Sequence, residues 1–371
     1  MQHARSVLVF LLVASGCSDP GAGAVDAAVA QDAASADAAG AVDDAGPVAQ
    51  DAGGAGLDAA PDADAGIVTL DACPTTGMGA IHAPGPCFVL TPQDAGSSSA
   101  GDNATVDHYA LEPAGTARGV LVVFLNASLA SPARQVGDPD TSFYGTLAAA
   151  GFHVLALSYR STAVVGAICR DDAACFGPTR RAIVLGTVEP GAATSLADMR
   201  EDEGVVFRLD GALAVLARAR PSAGWDAFSN AAGADPATRI VWSSVIATGH
   251  SQGGGHAAML GQLFGLRRVV QLSSTCDAVG ATPAPWTAAS ETWATPPGTS
   301  FVGFAAETTF AADGTAITGD LICPSHRAVW DNMGMDPSRQ HDDALVCPTG
   351  GAHNASIGCT LNASRWAALF E

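Results

Sequence analysis

The run IVWSSVIATGHSQGGGHAAML, residues 240–260, decides how this chain is read. Ile240, Val241, Val245 and Ile246 form a β-branched, apolar segment that ends at Gly249. His250, Ser251, Gln252 and Gly253 follow, and then a helix-compatible tail from His256 to Leu260. A strand over 240–247, a tight turn and a helix from Ser251 are the predicted order. Gly249-x-Ser251-x-Gly253 is the spacing of a serine carried on a sharp strand-to-helix bend. In a chain with 42 glycines the five positions alone are a weak signal, compatible with a glycine-rich turn and a bystander serine. Their weight comes from context: a strand before, a helix after, and acid and histidine partners downstream.

That context extends in both directions. GVLVVFL (119–125) is a continuous apolar run, suited to a strand buried on both faces. SFYGTLAAAGF (142–152) puts Phe143, Leu147 and Ala150 at helical spacing and stops at Gly151. FHVLALSYR (152–160) predicts a second buried strand. A long helix is predicted at about 195–219, with Val205, Val206, Leu209, Leu213 and Leu216 on one face and Pro221 ending it. Strands are predicted at 267–274, 300–306 and 343–347, and helices at 326–335 and 363–371. Strands alternating with helices imply an α/β chain with a mostly parallel central sheet and helices on both faces. In such sheets ligands bind beyond the carboxyl ends of the strands.

With these residues in place the chain resembles the α/β-hydrolases, and more narrowly a group of secreted bacterial members with a GHSQGG elbow. The likeness is carried by FLNAS (124–128), AAAGFHVLALSYR (148–160), RLDGALAVLARARPSAGW (208–225) and IATGHSQGGGHAA (246–258). It runs from about residue 115 to the C-terminus. The resemblance implies an α/β-hydrolase fold, with partners following the nucleophile in the order acid, then histidine.

Ser251 is the expected nucleophile, since small neighbours must flank a serine on so tight a bend. The base is expected just after the last strand. There, His353 lies in a loop of small residues between Cys347 and Cys359. His250 and His256 lie beside the elbow, where packing or a pocket wall explains them. His326 starts a helix, and His341 sits in a polar turn. His82, His108 and His153 come too early in the chain for this fold's base. The acid is expected after the strand 300–306. Glu307 is the first choice, with Asp313 and Asp320 open as alternatives, and relatives often carry an Asp where this chain has Thr308 and Thr309. The expected oxyanion-hole donors are Gln252, directly after the nucleophile, and Ala127 in the loop after 119–125, with Ser128 an open alternative. Where relatives have glycine-rich sequence at that loop, this chain has Asn126-Ala127-Ser128.

Residues 1–17 read as a secretory signal, with Arg5 ahead of a seven-residue apolar stretch, Val7 to Val13. The small residues ending in Cys17 resemble a bacterial lipobox. That likeness implies a lipidated Cys17 and, with Ser18 following, outer-membrane sorting. Ala14 stands where Leu is commoner, and an ordinary cleaved signal is the alternative. Residues 18–72 are an Ala/Asp/Gly-rich tract without aromatic residues, expected to be a disordered tether. Eleven Asp and no basic residue in that tract carry about half of the net charge of −20. Residues 73–371 are the expected catalytic domain.

No Lys occurs, and nothing clusters the 17 arginines along the sequence as nucleic-acid binding would require. Beyond Cys17 the cysteines number eight, which in an exported chain predicts disulfides between sequence neighbours. The expected pairs are Cys73–Cys87, Cys169–Cys175, Cys276–Cys323 and Cys347–Cys359. No C-x-x-C pair suggests a metal, and no cofactor is expected. The resulting expectation is an exported, monomeric serine esterase acting on a small-molecule or polymer ester, touching a membrane only through a lipid on Cys17. The alternative is a non-catalytic surface lipoprotein that keeps the scaffold to bind a ligand. Segment 275–299, with Trp286 and Trp293, is expected to pack as a surface excursion, a cap over the site being the other option.

Overall fold

The computed structural model describes residues 69–76, 80–81, 83–98, 105–135, 143–305, 323, 325–342, 352–359 and 362–371. Within these, side chains along the central strands alternate between two hydrophobic cores, as the two-residue period of a strand requires. In β4 (Leu121–Leu125), Leu121, Val123 and Leu125 enter one core while Val122 and Phe124 enter the other. In β5 (His153–Leu157), Leu155 and Leu157 join the first core, and Val154 and Ala156 the second. Strands buried on both faces lose the polar-out pattern of a half-exposed sheet. They therefore read as unbroken apolar runs.

Three further strands precede these: β1 (Asp71–Ala72), β2 (Cys87–Leu90) and β3 (His108–Leu111). Then come β6 (Val245–His250), β7 (Arg268–Leu272), a short ribbon of β8 (Ala278–Val279) with β9 (Thr282–Pro283), β10 (Phe301–Ala305) and β11 (Gln340–Asp342). Among the described residues the main sheet has nine strands in the order β1-β2-β3-β5-β4-β6-β7-β10-β11. From β5 through β11 every pairing is parallel, and the pairings of β1, β2 and β3 are antiparallel.

The helices are α1 (Phe143–Ala149), α2 (Val165–Cys169), α3 (Phe176–Leu185), α4 (Val205–Ala219), α5 (Pro236–Arg239), α6 (Gln252–Leu263), α7 (Pro297–Ser300), α8 (His326–Asn332), α9 (Ala355–Gly358) and α10 (Ala363–Phe370). Those of α3, α4, α6 and α8 pack into the core that holds Val123, and those of α1, α9 and α10 into the core that holds Phe124. Among the described residues no helix is long and apolar enough to cross a membrane.

Chain direction reverses across the sheet at β4. From β4 the chain moves to β5 on one side, and from β6 it moves to β7 on the other. The crevice between the carboxyl ends of β4 and β6 is thus the topological switch point, where ligands bind in open α/β sheets.

Several boundaries differ from expectation. The strand predicted at 240–247 begins only at Val245 and runs on to His250, because Ile240 forms an isolated bridge to Ser229 and Trp242–Ser244 make a 3₁₀ turn. Asp71 and Ala72, assigned to the tether, pair with Val89 and Phe88 in the sheet. The predicted strand at 343–347 lies outside the described residues, and β11 lies just before it. The antiparallel strands β1 to β3 were not anticipated; they are short and carry no long apolar run.

Three of the four expected disulfides are present: Cys73–Cys87, Cys169–Cys175 and Cys276–Cys323. Cys359 is also disulfide-bonded, and its expected partner Cys347 lies outside the described residues. Such bonds fit an oxidising compartment.

Candidate active site

Ser251 stands between the last residue of β6 and the first of α6, with φ 53° and ψ −122°. A serine on the positive-φ side pays of order 1–3 kcal/mol in backbone strain, which persists only where the surroundings enforce it. Here they do. The Ser251 N–H donates to the Leu272 carbonyl of β7 (2.9 Å), and the Ser251 carbonyl accepts from Gly254 N–H (3.1 Å).

Each glycine of the elbow faces something a side chain would displace. A Cβ on Gly249 would fall 2.3 Å from the carbonyl carbon of Gly253, and one on Gly253 would fall 2.0 Å from the carbonyl oxygen of Leu125. At Gly254 the obstacle is Ser274, and at Gly255 it is the guanidinium of Arg180. The repeated glycines let helix α6 start directly against the ends of β4 and β7.

Gln252 opens α6, so its N–H belongs to the helix's first turn, which has no partner within the helix. Its side chain ties the loop after β4 to the approach to α2. Oε1 accepts from Ser128 Oγ (2.9 Å) and from Val165 N–H (2.9 Å), and Nε2 donates to the Ala163 carbonyl (3.0 Å). Ala127 lies in the loop after β4, which turns back when Ala130 N–H donates to the Ala127 carbonyl (3.3 Å). Asn126 Nδ2 donates to the Ala130 carbonyl (2.7 Å), and Tyr159 Oη donates to the Asn126 carbonyl (2.6 Å). Gln252 and the 126–130 loop thus meet at the switch point, with the Ser128 hydroxyl engaged in joining them.

His353 is buried within the 3₁₀ turn Ala352–Asn354 that precedes α9. It packs against the residue next to Ser251: the rings of His250 and His353 lie 4.8 Å apart between centroids. His250 Nε2 donates to the His353 carbonyl (2.9 Å). A carbonyl can only accept, so Nε2 carries the proton of a neutral His250. Burial first, and then the His353 ring, push the His250 pKa down to about 3, against the opposing effect of the hydrogen bond to His353. His250 is therefore a neutral brace that pins the His353 segment to the elbow. Further ties hold that segment: Ser273 Oγ donates to Ser356 Oγ (2.9 Å), Trp366 Nε1 to the Ser356 carbonyl (2.9 Å) and Asn362 Nδ2 to the Ala355 carbonyl (2.8 Å).

Glu307, Asp313 and Asp320 lie outside the described residues. The strand they follow, β10, ends at Ala305 beside β7. Among the described residues no group of three or more His, Cys, Asp or Glu side chains is arranged to hold a metal ion.

One buried network escaped the sequence reading. Arg180 of α3 forms a two-pronged ion pair with Asp277, and both side chains are almost wholly buried. Trp286 Nε1 donates to the same carboxylate (2.9 Å), and Arg180 Nη1 donates to the Gln252 carbonyl (2.9 Å). Asp277 thus accepts from both Arg180 and Trp286, and Arg180 fixes the first turn of α6. Residues 97 positions apart leave no local pattern, so only the third glycine at Gly255, which Arg180 abuts, hinted at it. Trp286 is held inward by this network, and Trp293 packs at 5.4 Å against Phe301 of β10. Segment 275–299 is tied to α6 through Ala294 N–H to the Gln262 carbonyl and Thr295 N–H to the Gly261 carbonyl.

A mostly parallel sheet with this strand order, and a serine on the bend from β6 into α6, is the α/β-hydrolase fold. No family model and no curated protein matches the chain. Among solved structures it is similar to an S-formylglutathione hydrolase from Agrobacterium tumefaciens (11% identity, TM-score 0.39, covering 81% of this chain and 98% of that one). It is also similar to esterase 2 from Thermogutta terrifontis (13% identity, TM-score 0.30, 76% and 91%). A third is esterase B from Lactobacillus Rhamnosis (14% identity, TM-score 0.26, 53% of this chain), of which the match spans half the length. Likenesses this distant do not bear on chemistry.

Proposed function

We propose that the chain is a serine hydrolase that cleaves carboxylic esters by acyl transfer. The observation that carries the reading is the strained Ser251 on the elbow, with the His353 segment pinned through His250 to the residue before it. In this reading Ser251 Oγ attacks the ester carbonyl and His353 accepts its proton. The N–H groups of Gln252 and Ala127 (or Ser128) receive the developing oxyanion, each worth a few kcal/mol in the transition state. His353 then protonates the departing alcohol, and water, activated by the same imidazole, frees the acid. A carboxylate from the segment after β10 orients the ring, with Glu307 first and Asp313 and Asp320 as alternatives. A small-molecule or polymer ester is the substrate class. Export, with Cys17 as a lipid anchor to the outer membrane, completes the reading, and the disulfides accord with an exported protein.

The test is a fluorophosphonate probe alongside short-chain p-nitrophenyl esters. The unmutated protein is expected to label and to turn over the ester, and Ser251→Ala to abolish labelling and lower kcat by roughly 10⁴-fold or more. An unmutated protein that neither labels nor hydrolyses any such ester sinks the enzyme reading and leaves the scaffold a binding protein.

A further inference from the structure

A cavity of about 380 Å³ opens beside the loop that follows β4. Strand register places it at the end of the sheet that carries Ser251. Leu125, which closes β4, pairs with Leu157 at the end of β5 and with Gly249, two residues before Ser251. Antiparallel β3 begins at the same end, since its second residue Tyr109 pairs with Ala156. Leu129 and Ala130 line the cavity from the loop after β4, and Val106, Asp107 and Tyr109 line it from the entry to β3. Leu129 directly follows Ser128, whose hydroxyl donates to the Gln252 side chain (2.9 Å), so the cavity begins one residue from a contact with the elbow. Its size falls within the range of about 300–1,000 Å³ usual for small-molecule sites.

Leu129 is the unusual member. Its φ is 57°, in the region that favours glycine, and its side chain is 69% exposed. A glycine there would suit the backbone and leave no apolar side chain in water, so folding alone does not call for leucine. The loop nevertheless holds it in place. Leu129 N–H donates to the Ser161 carbonyl (3.0 Å), and the Ala130 carbonyl accepts from Ser161 Oγ (2.9 Å) and from Asn126 Nδ2 (2.7 Å). Backbone strain kept by such enforcing contacts collects at ligand clamps. The entry to β3 brings the opposite chemistry. Burial, then Asp94, raises the Asp107 carboxyl above its ordinary range, and burial, then Asp107, keeps the Tyr109 hydroxyl protonated beyond its own. A carboxyl partly withdrawn from water binds a ligand hydroxyl more strongly than one in bulk solvent. An anionic group would meet repulsion from Asp107, and a plain alkyl chain would strip water from Asp107 and Tyr109 without replacing its hydrogen bonds. A neutral group with hydroxyls on one side and C–H on the other meets both walls.

We propose that this cavity holds a neutral polyol, such as a sugar ring, as the alcohol part of the substrate, and that Leu129 is the residue that selects it. Asp107 and Tyr109 take its hydroxyls, and Leu129 covers its C–H face. A polyol enters an ester through one of its own hydroxyls, so it forms the group that departs when Ser251 is acylated. Placing it on the departing side rests on the ester-hydrolase reading; its fit to the cavity does not.

The test uses the purified full chain carrying Ser251→Ala, which reads binding without turnover. It is titrated calorimetrically with an acetylated methyl glucoside, with hexyl acetate and with acetylcholine. The sugar ester is expected to bind more tightly than the other two, and Leu129→Gly and Asp107→Asn, each added separately, to weaken its binding by about 10-fold or more. Leu129→Gly relieves the backbone, so its thermal midpoint is expected not to fall, and Leu129→Met is expected to restore binding. Sugar-ester binding in a chain whose unmutated form takes no fluorophosphonate and hydrolyses no ester sinks the esterase reading and leaves the pocket standing. The pocket proposal is overturned if the unmutated chain labels while Ser251→Ala binds none of the three esters at about 10 mM. It is equally overturned if hexyl acetate or acetylcholine binds as tightly as the sugar ester, or if sugar binding survives Leu129→Gly.

Discussion

At Ser251 the backbone adopts a conformation that serine adopts rarely, and the elbow glycines are what allow it. Gly253 is the most constrained of them, since its Cα faces the end of β4 at a distance that leaves no room for a methyl group. Gly253→Ala must push α6 away from Leu125, so a loss of about 1–3 kcal/mol in urea denaturation is expected, along with loss of probe labelling. Retained labelling at unchanged stability would show that the elbow can relax. Arg180 and Asp277 form the second residue-level support. Asp277→Ala strands a buried guanidinium and is expected to cost about 3–5 kcal/mol. An apolar replacement of both partners, Arg180→Met with Asp277→Leu, is expected to recover part of that loss. If the single substitution proves silent in denaturation, the pair does not brace the elbow.

Among the elements, the unbroken apolar runs of β4 and β5 and the helical spacing of α4 were legible because burial imposes a period on the sequence. The start of β6 was not: Ile240 and Val241 look like strand residues, yet a bridge and a 3₁₀ turn use them before the sheet begins. Strands β1 to β3 were illegible because they run only two to four residues each and carry no long apolar run.

The disulfides act at this scale too. Cys276–Cys323 closes a span of 47 residues around β10, whereas Cys169–Cys175 closes only 6. On loop-entropy grounds they contribute about 4 and about 2 kcal/mol. Replacing both members of the longer pair by serine is therefore expected to lower the thermal midpoint more than replacing both of the shorter. The reverse order would mean that native contacts, not chain entropy, set their worth.

For the whole molecule, buried histidines tie stability to pH. His250 and His108 have pKa values pushed down to about 3, in both cases by burial first, then by His353 and Arg208 respectively. His256, packed 5.0 Å from Tyr159, is likewise driven well below the ordinary range by burial and Arg180. Unfolded, each takes up a proton near 6.5, so between that pH and about 3 the unfolded state binds more protons than the folded one. Their contribution is complete above about pH 6.5 and is lost on acidification, at up to about 1.4 kcal/mol per pH unit for each histidine. Urea midpoints measured from pH 7.5 to pH 5 are expected to fall, and His256→Leu to reduce the slope. A level profile would contradict this account.

The residues alone determined the α/β class, the serine on its bend and three of the disulfide pairs, because each rests on local pattern or on neighbours in sequence. Tertiary structure alone decided that His250 braces the His353 segment, that Arg180 and Asp277 fasten the first turn of α6, and that Leu129 and Asp107 line one cavity. The first two join positions roughly seventy to a hundred residues apart, and only the folded sheet brings them together.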